Sequence, residues 1–321
     1  MSTQKPFLTI FTPTYNRAHT LERVYRSLKA QSCQDFEWII VDDGSVDSTE
    51  ELVNNWIQSA TFPIRYFYQQ NAGKHIAWNY ALGMAKGTYF ECLDSDDELS
   101  PNAVEVLKMD LKPHIGTVSE VAARAFLLLN PNGELFGKNL ELDDFSKSFV
   151  ELVYENKLPS DVWMAFHLEK LREFPFPEQY KKLYFPEGYV IYAFDKKFSI
   201  FFTHNERLGI YHRELGDNLS NSNSVVLAKL KSGSAITLTM IHLGHLNFNI
   251  RLFPKYPWKL FIHAIHYNRF RLHTKDWSKF LIREIETNMG RVLAISAFLP
   301  GLLAKVIDEF RIRKHRSKYN S

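Results

Sequence analysis

Residues 89–98 of this chain read YFECLDSDDE, an apolar run that leads directly into a cluster of acids. Four of the last five residues carry carboxylates, which repel one another unless a cation lies among them or water screens them. Asp-x-Asp at the end of a strand offers hard oxygen ligands to Mg²⁺ or Mn²⁺, and such a metal usually completes its shell with substrate phosphates. The alternative is a polar turn, since Asp and Ser are common turn residues.

The residues upstream of this stretch alternate between strand and helix patterns. Apolar runs predict four strands, at 7–11, 38–41, 64–68 and 89–93. Apolar residues at helical spacing fall between them, and this order predicts a parallel sheet with helices on both faces. Ligands of such sheets bind beyond the carboxyl ends of the strands, so the loops after the first, second and fourth strands should converge.

These loops carry no glycine-rich phosphate motif. No G-x-G-x-x-G follows the first strand and no Walker glycine-lysine loop occurs, which argues against the ordinary dinucleotide and ATP sites. The loop at 12–17 also lacks the glycines that a nucleotidyltransferase would use there. A pyrophosphate bound at this edge must be neutralised in another way, and a divalent metal on Asp94 and Asp96 provides one.

Composition and charge narrow the class of protein. The 321 residues suffice for one large domain or two small ones, and 39 basic against 36 acidic residues leave a net charge of +3, too small to indicate a nucleic-acid partner. Cys33 and Cys92 form neither a metal-ligand pattern nor a disulfide framework, which suits a reducing cytoplasm. Residues 1–6 lack a signal-peptide core, and no apolar run reaches the roughly 18 residues of a spanning helix. We therefore expect a cytoplasmic protein.

Four motifs, in this order and spacing, resemble a family 2 glycosyltransferase of the GT-A fold, of the kind that builds bacterial surface glycans. They read TPTYNR at 12–17, VDDGSVDST at 41–49, NAGKH at 71–75 and LDSDDE at 93–98. The resemblance implies an α/β fold with a mostly parallel sheet flanked by helices. It divides the chain into a catalytic domain at 1–222, made of a nucleotide-binding part at 1–100 and an acceptor-side part at 101–222, and a helical extension at 223–321.

The resemblance assigns the nucleoside of the donor to the first two motifs. Tyr15 would lie against the nucleobase, with simple packing as the alternative. An acid of the pair Asp42 and Asp43 would accept a hydrogen bond from the base or ribose, and Asp43 is the expected base reader. Further donor-site candidates in the motifs are Thr12, Pro13, Arg17, Asn71 and Ser95.

The metal and the diphosphate are assigned to the third and fourth motifs. Asp96 would bind Mn²⁺ or Mg²⁺ directly, and Asp94 would face the ribose or the metal's water shell. Lys74 and Asn79 would lie near the phosphates or the donor sugar. The alternative for Lys74 is a solvated surface lysine, since most lysines are exposed.

Two carboxylates in the middle of the chain are candidates for the catalytic base. Relatives place an acid in a Pro-Glu step near the position of Glu187, or carry Glu-Asp there with the Asp as base. Gly188 stands where that second acid would be, so Glu187 takes the role by position. Asp161 is the second candidate, because sugars stack on aromatic faces such as Trp163 while acids hold their hydroxyls. The alternative is that this aromatic cluster is core.

Together with these residues, the resemblance implies an inverting glycosyltransferase that moves a sugar from a nucleotide-sugar donor, a UDP-sugar above all, to a glycan or lipid-linked acceptor in surface polysaccharide synthesis. The alternative is a non-catalytic nucleotide-sugar-binding or scaffold protein on the same fold, since a fold does not determine a function. The intact Asp94-x-Asp96 argues against this alternative, whereas the missing second acid after Glu187 argues for it.

The carboxy-terminal residues change character, since acids become rare and aromatic and basic residues common. A last helix is predicted at 292–310, with a break at Pro300 and with Leu299, Leu303, Val306 and Phe310 on one face. A basic cluster follows at 311–318. An apolar face beside basic residues is typical of a segment in the interface of an anionic membrane, here the inner face of the plasma membrane. The alternative is a helix packed on the protein's own core.

Overall fold

The computed structural model describes residues 5–116, 121–158, 162–183, 185–212, 235–274 and 282–317, with the backbone alone at residues 142, 204, 205 and 312–317. The chain forms two compact units, of which the first comprises Met1–Lys182 and Lys197–Arg213 and the second Leu183–Lys196 and Glu214–Ser321. The boundary predicted at residue 222 lies outside the described residues. Residues 183–196 were predicted in the catalytic domain, whereas the structure groups them with the second unit.

One sheet organises the first unit, with eight strands among the described residues. The strands are β1 (Leu8–Thr14), β2 (Phe36–Asp42), β3 (Ile64–Tyr68), β4 (Tyr89–Cys92), β5 (Glu98–Leu99), β6 (Ala123–Leu129), β7 (Trp163–His167) and β8 (Phe201–Ile210). Their order across the sheet is β3-β2-β1-β4-β7-β6-β8-β5. The four strands predicted in the first hundred residues are therefore present and adjacent.

The half of the sheet formed by β3, β2, β1 and β4 is parallel, as predicted. Phe11 lies opposite both Ile39 on β2 and Cys92 on β4, so these three strands end at the same edge of the sheet. Every residue of β1 and β2 is buried, as expected for central parallel strands that helices cover on both faces.

The other half of the sheet joins through antiparallel pairs. Strand β7 runs antiparallel to both β4 and β6, and β5 antiparallel to β8, whereas β6 and β8 are parallel. The sheet as a whole is thus mixed, and the α/β class predicted from the sequence is confirmed. The pairing of Glu98 with Ile210 brings the end of β8 beside the acidic stretch.

Helices cover the sheet of the first unit. They are α1 (Ala18–Lys29), α2 (Thr49–Ser59), α3 (Lys74–Met84), α4 (Ala103–Leu111), α5 (Phe149–Glu155) and α6 (Leu168–Leu171), with 3-10 turns at Lys112–His114, Leu142–Ser146 and Glu178–Tyr180. Helix α1 is amphipathic, since Leu21, Val24 and Leu28 are fully buried at a spacing of three and four residues. Tyr25 stacks on Trp56 of α2 with 4.5 Å between the ring centroids, so the two helices share one core.

The second unit is helical in the residues that the structure describes. Its helices are α7 (Gly188–Phe198, of which the last two residues count with the first unit), α8 (Ala235–Phe248), α9 (Pro257–Arg271), α10 (Asn288–Ser296) and α11 (Phe298–Ser317), with 3-10 turns at Ile250–Leu252 and Ile282–Glu284. Tyr192 of α7 packs on His245 of α8, and the buried Asp195 pairs with Arg251 at 2.6 Å. These contacts explain why residues 183–196 belong to this unit.

The helix predicted at 292–310 is interrupted, as its proline suggested. The break falls at Ala297, between α10 and α11, and Pro300 lies in the first turn of α11, where a missing N–H leaves no hydrogen bond unmade. No single helix among the described residues is long and apolar enough to cross a membrane. The pair Asn288–Ser296 and Phe298–Arg311, bent by 54°, meets the length and composition requirements only when its two helices are taken together.

Candidate functional site

The loops after β1 and β2 are clamped together at the carboxyl edge of the parallel strands. Asn16 adopts a left-handed backbone conformation with φ of 54°, which short polar side chains tolerate. Its backbone N–H donates to Ser45 Oγ at 2.8 Å, and its Oδ1 accepts from Val46 N at 2.8 Å. Tyr15, directly before this turn, is 49% exposed, so its ring is open to a ligand.

Asp42 and Asp43 are buried and hold the loops of this edge in place. Asp42 accepts hydrogen bonds from Ser45 N and from the Tyr66 hydroxyl, each at 2.7 Å. Asp43 accepts three hydrogen bonds of 2.7–2.8 Å, whose donors are Gln69 Nε2, Ala72 N and Gly73 N. In this structure the Asp43 carboxylate therefore positions the third motif, while the Asp42 carboxylate holds Ser45 of the second motif. Their predicted contact with the base or ribose stays a prediction.

The third motif lies against the second through a glycine. Gly44 has φ of +95°, and a Cβ at this position would lie 2.9 Å from the backbone nitrogen of Asn71. The chain then turns at Gly73, with φ of 104°, into α3, whose first residue is Lys74. The Lys74 ammonium pairs with Asp94 Oδ1 at 2.5 Å, which joins the third motif to the acidic stretch.

The acidic stretch gathers three carboxylates at one point. Single oxygens of Asp94, Asp96 and Asp97 all lie within 4.8 Å of one another. Arg17 reaches Asp96 Oδ2 at 3.2 Å, and Arg23 donates to the Asp96 carbonyl oxygen at 2.7 Å. Side chains of the first, third and fourth motifs thus meet at the edge where β1 and β4 end. The sequence predicted this meeting for the loops after the first and fourth strands.

The electrostatics of this cluster fit a cation. Burial and the charge of Asp94 raise the pKa of the Asp96 carboxyl, while Arg17 opposes the shift. Burial and Asp94 also raise the pKa of Asp97 to about 8. Because carboxylate oxygens are the ligands that Mg²⁺ and Mn²⁺ prefer, an ion among them would relieve this repulsion. The residues present therefore fit the predicted metal.

Two residues that sequence reasoning did not assign to the site also lie here. Asp97 completes the group of three carboxylates and accepts a hydrogen bond from His212 N at 2.9 Å. The His212 ring nitrogen Nε2 lies 2.6 Å from Glu98 Oε1. Asp97 could have been found from its place in the acidic stretch. His212 follows β8, far along the chain, and only the pairing of β5 with β8 brings it close.

The remaining donor-site candidates are partly structural. Thr12 is buried, and its hydroxyl accepts from Trp38 Nε1 at 2.9 Å. Pro13 is a buried residue of β1, and Ser95 is buried within the acidic stretch. Asn71 is partly exposed beside Gly44. Their contacts with a donor stay predictions.

Asn79 has a different role from the one predicted. Its Nδ2 donates to the Phe176 carbonyl oxygen at 2.8 Å and its Oδ1 accepts from Phe176 N at 2.9 Å. The side-chain amide thus pairs with the backbone of Phe176 as a neighbouring strand would. This pairing uses both ends of the side chain, and the structure gives no support to a contact with the donor. The structure also contradicts the hypothesis that a sugar stacks on Trp163, because this residue is only 4% exposed and its indole N–H donates to the buried Glu91.

The two predicted catalytic bases are not tested by the contacts of the acidic stretch. Glu187 precedes α7 in the second unit, where its carbonyl oxygen accepts from Ile191 N at 3.1 Å. Asp161 lies outside the described residues. The assignment of the base therefore stays a prediction.

A second group of acids, around Glu141, is a capped turn. The side chain of Asp144 is 3% exposed, accepts from Glu141 N at 2.9 Å, and pairs with Lys157 at 2.6 Å and Lys147 at 3.4 Å. Asp144 is thus paired internally, whereas Glu141 and Asp143 are exposed to solvent.

Comparison with known proteins assigns the residues around this edge of the sheet to a family. Residues 9–114 match the family model described as Glycosyl transferase family 2. The match begins in β1 and extends past the acidic stretch, so it includes all four motifs. The chain contains a family 2 glycosyltransferase domain. The resemblance on which the donor-site predictions rest is thereby confirmed.

Curated relatives match the chain over part of their length. The chain is 35% identical over 143 residues to a chondroitin synthase of Pasteurella multocida, a match that covers 44% of this chain and 14% of that protein. It is 29% identical over 191 residues to the GalNAc(5)-diNAcBac-PP-undecaprenol beta-1,3-glucosyltransferase of Campylobacter jejuni, with 51% of this chain and 61% of that protein covered. The chain thus spans less than two thirds of the length of either relative.

Solved structures place the family 2 domain in the GT-A fold. TarS 1–349 of S. aureus, solved in complex with UDP-GlcNAc, matches with a TM-score of 0.54 at 15% identity over 91% of this chain and 89% of that one. The mannosyltransferase PcManGT of Pyrobaculum calidifontis, solved with GDP-Man and Mn²⁺, gives 0.54 at 15% identity over 95% and 88%. At this identity the likeness shows the fold, and the predicted GT-A architecture with helical carboxy-terminal region is confirmed.

Proposed function

We propose that this chain is an inverting glycosyltransferase that transfers a sugar from a nucleotide-sugar donor, a UDP-sugar, to a hydroxyl of a glycan or lipid-linked acceptor. The observation that carries the proposal is the meeting of Asp94, Asp96 and Asp97, with oxygens within 4.8 Å of one another, at the carboxyl edge of the parallel strands. Three partly buried acids beside an ammonium and a guanidinium offer a site for a cation and a diphosphate.

The donor would bind across the four motifs. Tyr15 is open to a base. Asp43 lies in the neighbouring loop, where its backbone N–H donates to the carbonyl oxygen of Thr14 at 2.8 Å. Asp94 and Asp96, with Asp97 beside them, would hold Mn²⁺ or Mg²⁺, which when bound offsets the charge that develops on the leaving diphosphate. Lys74, which pairs with Asp94 at 2.5 Å, would add a second positive charge near the phosphates.

Transfer would proceed by a single displacement at the anomeric carbon. The acceptor oxygen forms a bond to this carbon from the face opposite the diphosphate, the bond to the phosphate oxygen breaks, and the diphosphate leaves with the electron pair. The acceptor proton passes to a carboxylate, for which we propose Glu187, with Asp161 as the second candidate. A base must lie within hydrogen-bond reach of that proton, so geometry in the complex decides between them.

The acceptor class is supported by the relatives. One relative is a chondroitin synthase, and the name of another includes PP-undecaprenol. We therefore propose that the acceptor is a growing polysaccharide or a polyprenyl-diphosphate-linked glycan, used in the cytoplasm at the inner face of the plasma membrane. Comparing transfer to soluble oligosaccharides with transfer to lipid-linked ones distinguishes the two.

The test is release of nucleoside diphosphate from a panel of nucleotide sugars with Mn²⁺, with and without acceptors. We expect turnover with one donor, and Asp96→Asn should lower it by at least ~10²–10³-fold, as is typical of losing one preorganised charge contact. The matched control is Asp143→Asn, the same change at an acid that is 70% exposed and lies outside the site. Equal loss in both variants, or Mn²⁺-dependent UDP binding unchanged in Asp96→Asn, would contradict the assignment.

A further inference from the structure

The second unit exposes a continuous run of apolar side chains. Ten of the eighteen large hydrophobic side chains exposed among the described residues lie between residues 289 and 310, each 37–72% exposed. This apolar face consists of Met289, Val292, Ile295, Phe298, Leu299, Leu302, Leu303, Val306, Ile307 and Phe310. Single exposed hydrophobic residues are ordinary, but a contiguous group of this kind marks an interaction surface.

The opposite side of the same helices is fixed to α9. Asp308 is 1% exposed and accepts two hydrogen bonds of 2.6 Å from the Arg269 guanidinium. A Cβ on Gly301 would lie 2.5 Å from Asn268 Cβ and 2.8 Å from the Ile265 carbonyl oxygen, so α11 crosses α9 in close backbone contact there. Because this inner side is already packed and paired, the apolar face cannot be turned into the core of the unit by a small rotation of α11.

The charges next to the apolar face are positive. The two acids of α11 are both used internally, Asp308 by Arg269 and Glu309 by Lys305 at 2.6 Å. Beyond Phe310 the sequence RIRKHRSK at 311–318 contains five lysines and arginines and no acid, and the helix continues through Ser317. A basic run of this density next to an apolar helical surface matches an anionic lipid interface, which attracts each basic residue near it.

A second copy of the chain fits this surface less well. Each copy would bring the same basic run, and the acids of α11 are already paired. The bend of 54° between α10 and α11 and the charged end of α11 also suit a pair that lies in the interface rather than one that spans the bilayer. In a helix the backbone hydrogen bonds are made internally, so the pair can enter the headgroup region without unpaired backbone groups.

We propose that α10 and α11 dock the chain on an anionic lipid surface, with the apolar face at the boundary between headgroups and acyl chains and the basic run beside the headgroups. This inference does not rest on the proposed glycosyl transfer. If the chain binds vesicles but transfers no sugar, the lipid-docking proposal is supported and the proposed glycosyl transfer is contradicted by its own test.

The test is flotation of the full chain with vesicles of phosphatidylcholine alone or mixed with phosphatidylglycerol. We expect binding to the anionic vesicles at low salt and release at high salt, because the basic residues act within a Debye length. The triple variant Leu299→Gln, Leu303→Gln, Phe310→Gln should bind at least ~tenfold less, since it removes apolar area from the interface. The matched control Ile57→Gln, Met109→Gln, Ile115→Gln changes three exposed hydrophobic residues of the first unit and should bind like the parent.

A second measurement is independent of loss-of-binding variants. Leu303→Trp places an indole on the apolar face, and its emission should shift to shorter wavelength with anionic vesicles and be quenched by brominated acyl chains. Unquenched emission, or flotation of the triple variant equal to that of the parent, would overturn the proposal. So would a parent that is dimeric without lipid and becomes monomeric in the triple variant, because the apolar face would then be an interface between copies.

Discussion

At the scale of the residue, Gly44 determines how closely the second and third motifs approach. Its φ is +95°, a backbone conformation that alanine rarely adopts, and a Cβ on this residue would lie only 2.9 Å from Asn71 N. An alanine at this position would therefore have both an unfavourable backbone conformation and a steric clash. Gly44→Ala should destabilise the fold by about 1–3 kcal/mol and weaken donor binding. Gly83→Ala is the control, because nothing lies within 4 Å of its Cβ and a helical alanine should stabilise by about 0.5–1 kcal/mol. Urea unfolding of both variants measures the difference, and equal stability of the two would contradict the explanation.

Glu187 is the residue on which the proposed chemistry depends most. If its carboxylate takes the acceptor proton, Glu187→Gln should keep donor affinity and lower turnover by ~10²–10⁴-fold. Glu286→Gln, at an exposed glutamate of the same unit, is the matched control and should keep full turnover. Donor affinity is measured by calorimetric titration with UDP and Mn²⁺. Full turnover in Glu187→Gln would move the role of base to Asp161.

At the scale of the element, helices α8 and α9 are joined by stacked imidazoles. His242 and His245 on α8 meet His263 and His266 on α9, and we call these four residues the histidine cluster. The Nδ1 atoms of His242 and His263 are 3.0 Å apart, and the rings of His245 and His263 stack with centroids 3.5 Å apart. Such close packing requires neutral rings, because adjacent imidazolium ions would repel one another.

The histidine cluster predicts a pH-dependent stability. Burial lowers the pKa of all four residues, and neighbouring imidazoles lower the pKa of His242, His245 and His263 further. The pKa of His263 falls to about 3, with Lys259 contributing. Arg269 also lowers the pKa of His266, while Asp308 raises it. These pKa values in the folded chain lie below the unfolded value of 6.5. Below about pH 6.5 the unfolded chain therefore binds more protons than the folded chain does. The stabilisation is therefore complete above about pH 6.5 and is lost as the pH falls towards the folded pKa.

His263→Gln should remove part of this dependence. We expect the slope of unfolding free energy against pH, between about pH 7.5 and pH 5, to fall by up to about 1.4 kcal/mol per pH unit. Denaturant unfolding followed by circular dichroism gives the slope for the parent, for the variant and for His19→Gln, a control at an exposed histidine. A parent whose stability does not change over this range, or a control with the same loss of slope, would contradict the role of the cluster.

At the scale of the whole molecule, the two units should respond to different conditions. The proposed metal and diphosphate ligands all lie in the first unit, so UDP with Mn²⁺ should slow hydrogen exchange there by preferential binding to the folded state. Protection is expected at 12–17, 42–47, 71–75 and 94–98. Chelation of the metal should reverse it, and exchange in α8 and α9 should serve as the internal reference. Peptide-level mass spectrometry measures this, and protection confined to the second unit would contradict the assigned site.

The sequence by itself determined the features that depend on neighbouring residues. Apolar runs and helical periodicity were sufficient for the four parallel strands and the break near Pro300, because secondary structure and burial repeat along the chain. The motifs around Tyr15, Asp43 and Asp96 identified the edge where we propose that the donor binds, because the carboxyl ends of parallel strands meet there whatever the loops contain. Only the tertiary structure decided what depends on partners far along the chain. The register of β5 on β8 brings His212 to Asp97, and the backbone of Phe176 pairs with both ends of the Asn79 amide.

Periodicity likewise placed Leu299, Leu303, Val306 and Phe310 on one side of a helix, but a periodic pattern does not say which side faces the protein. The pairing of Asp308 with Arg269 decides that, and it leaves the apolar face outward.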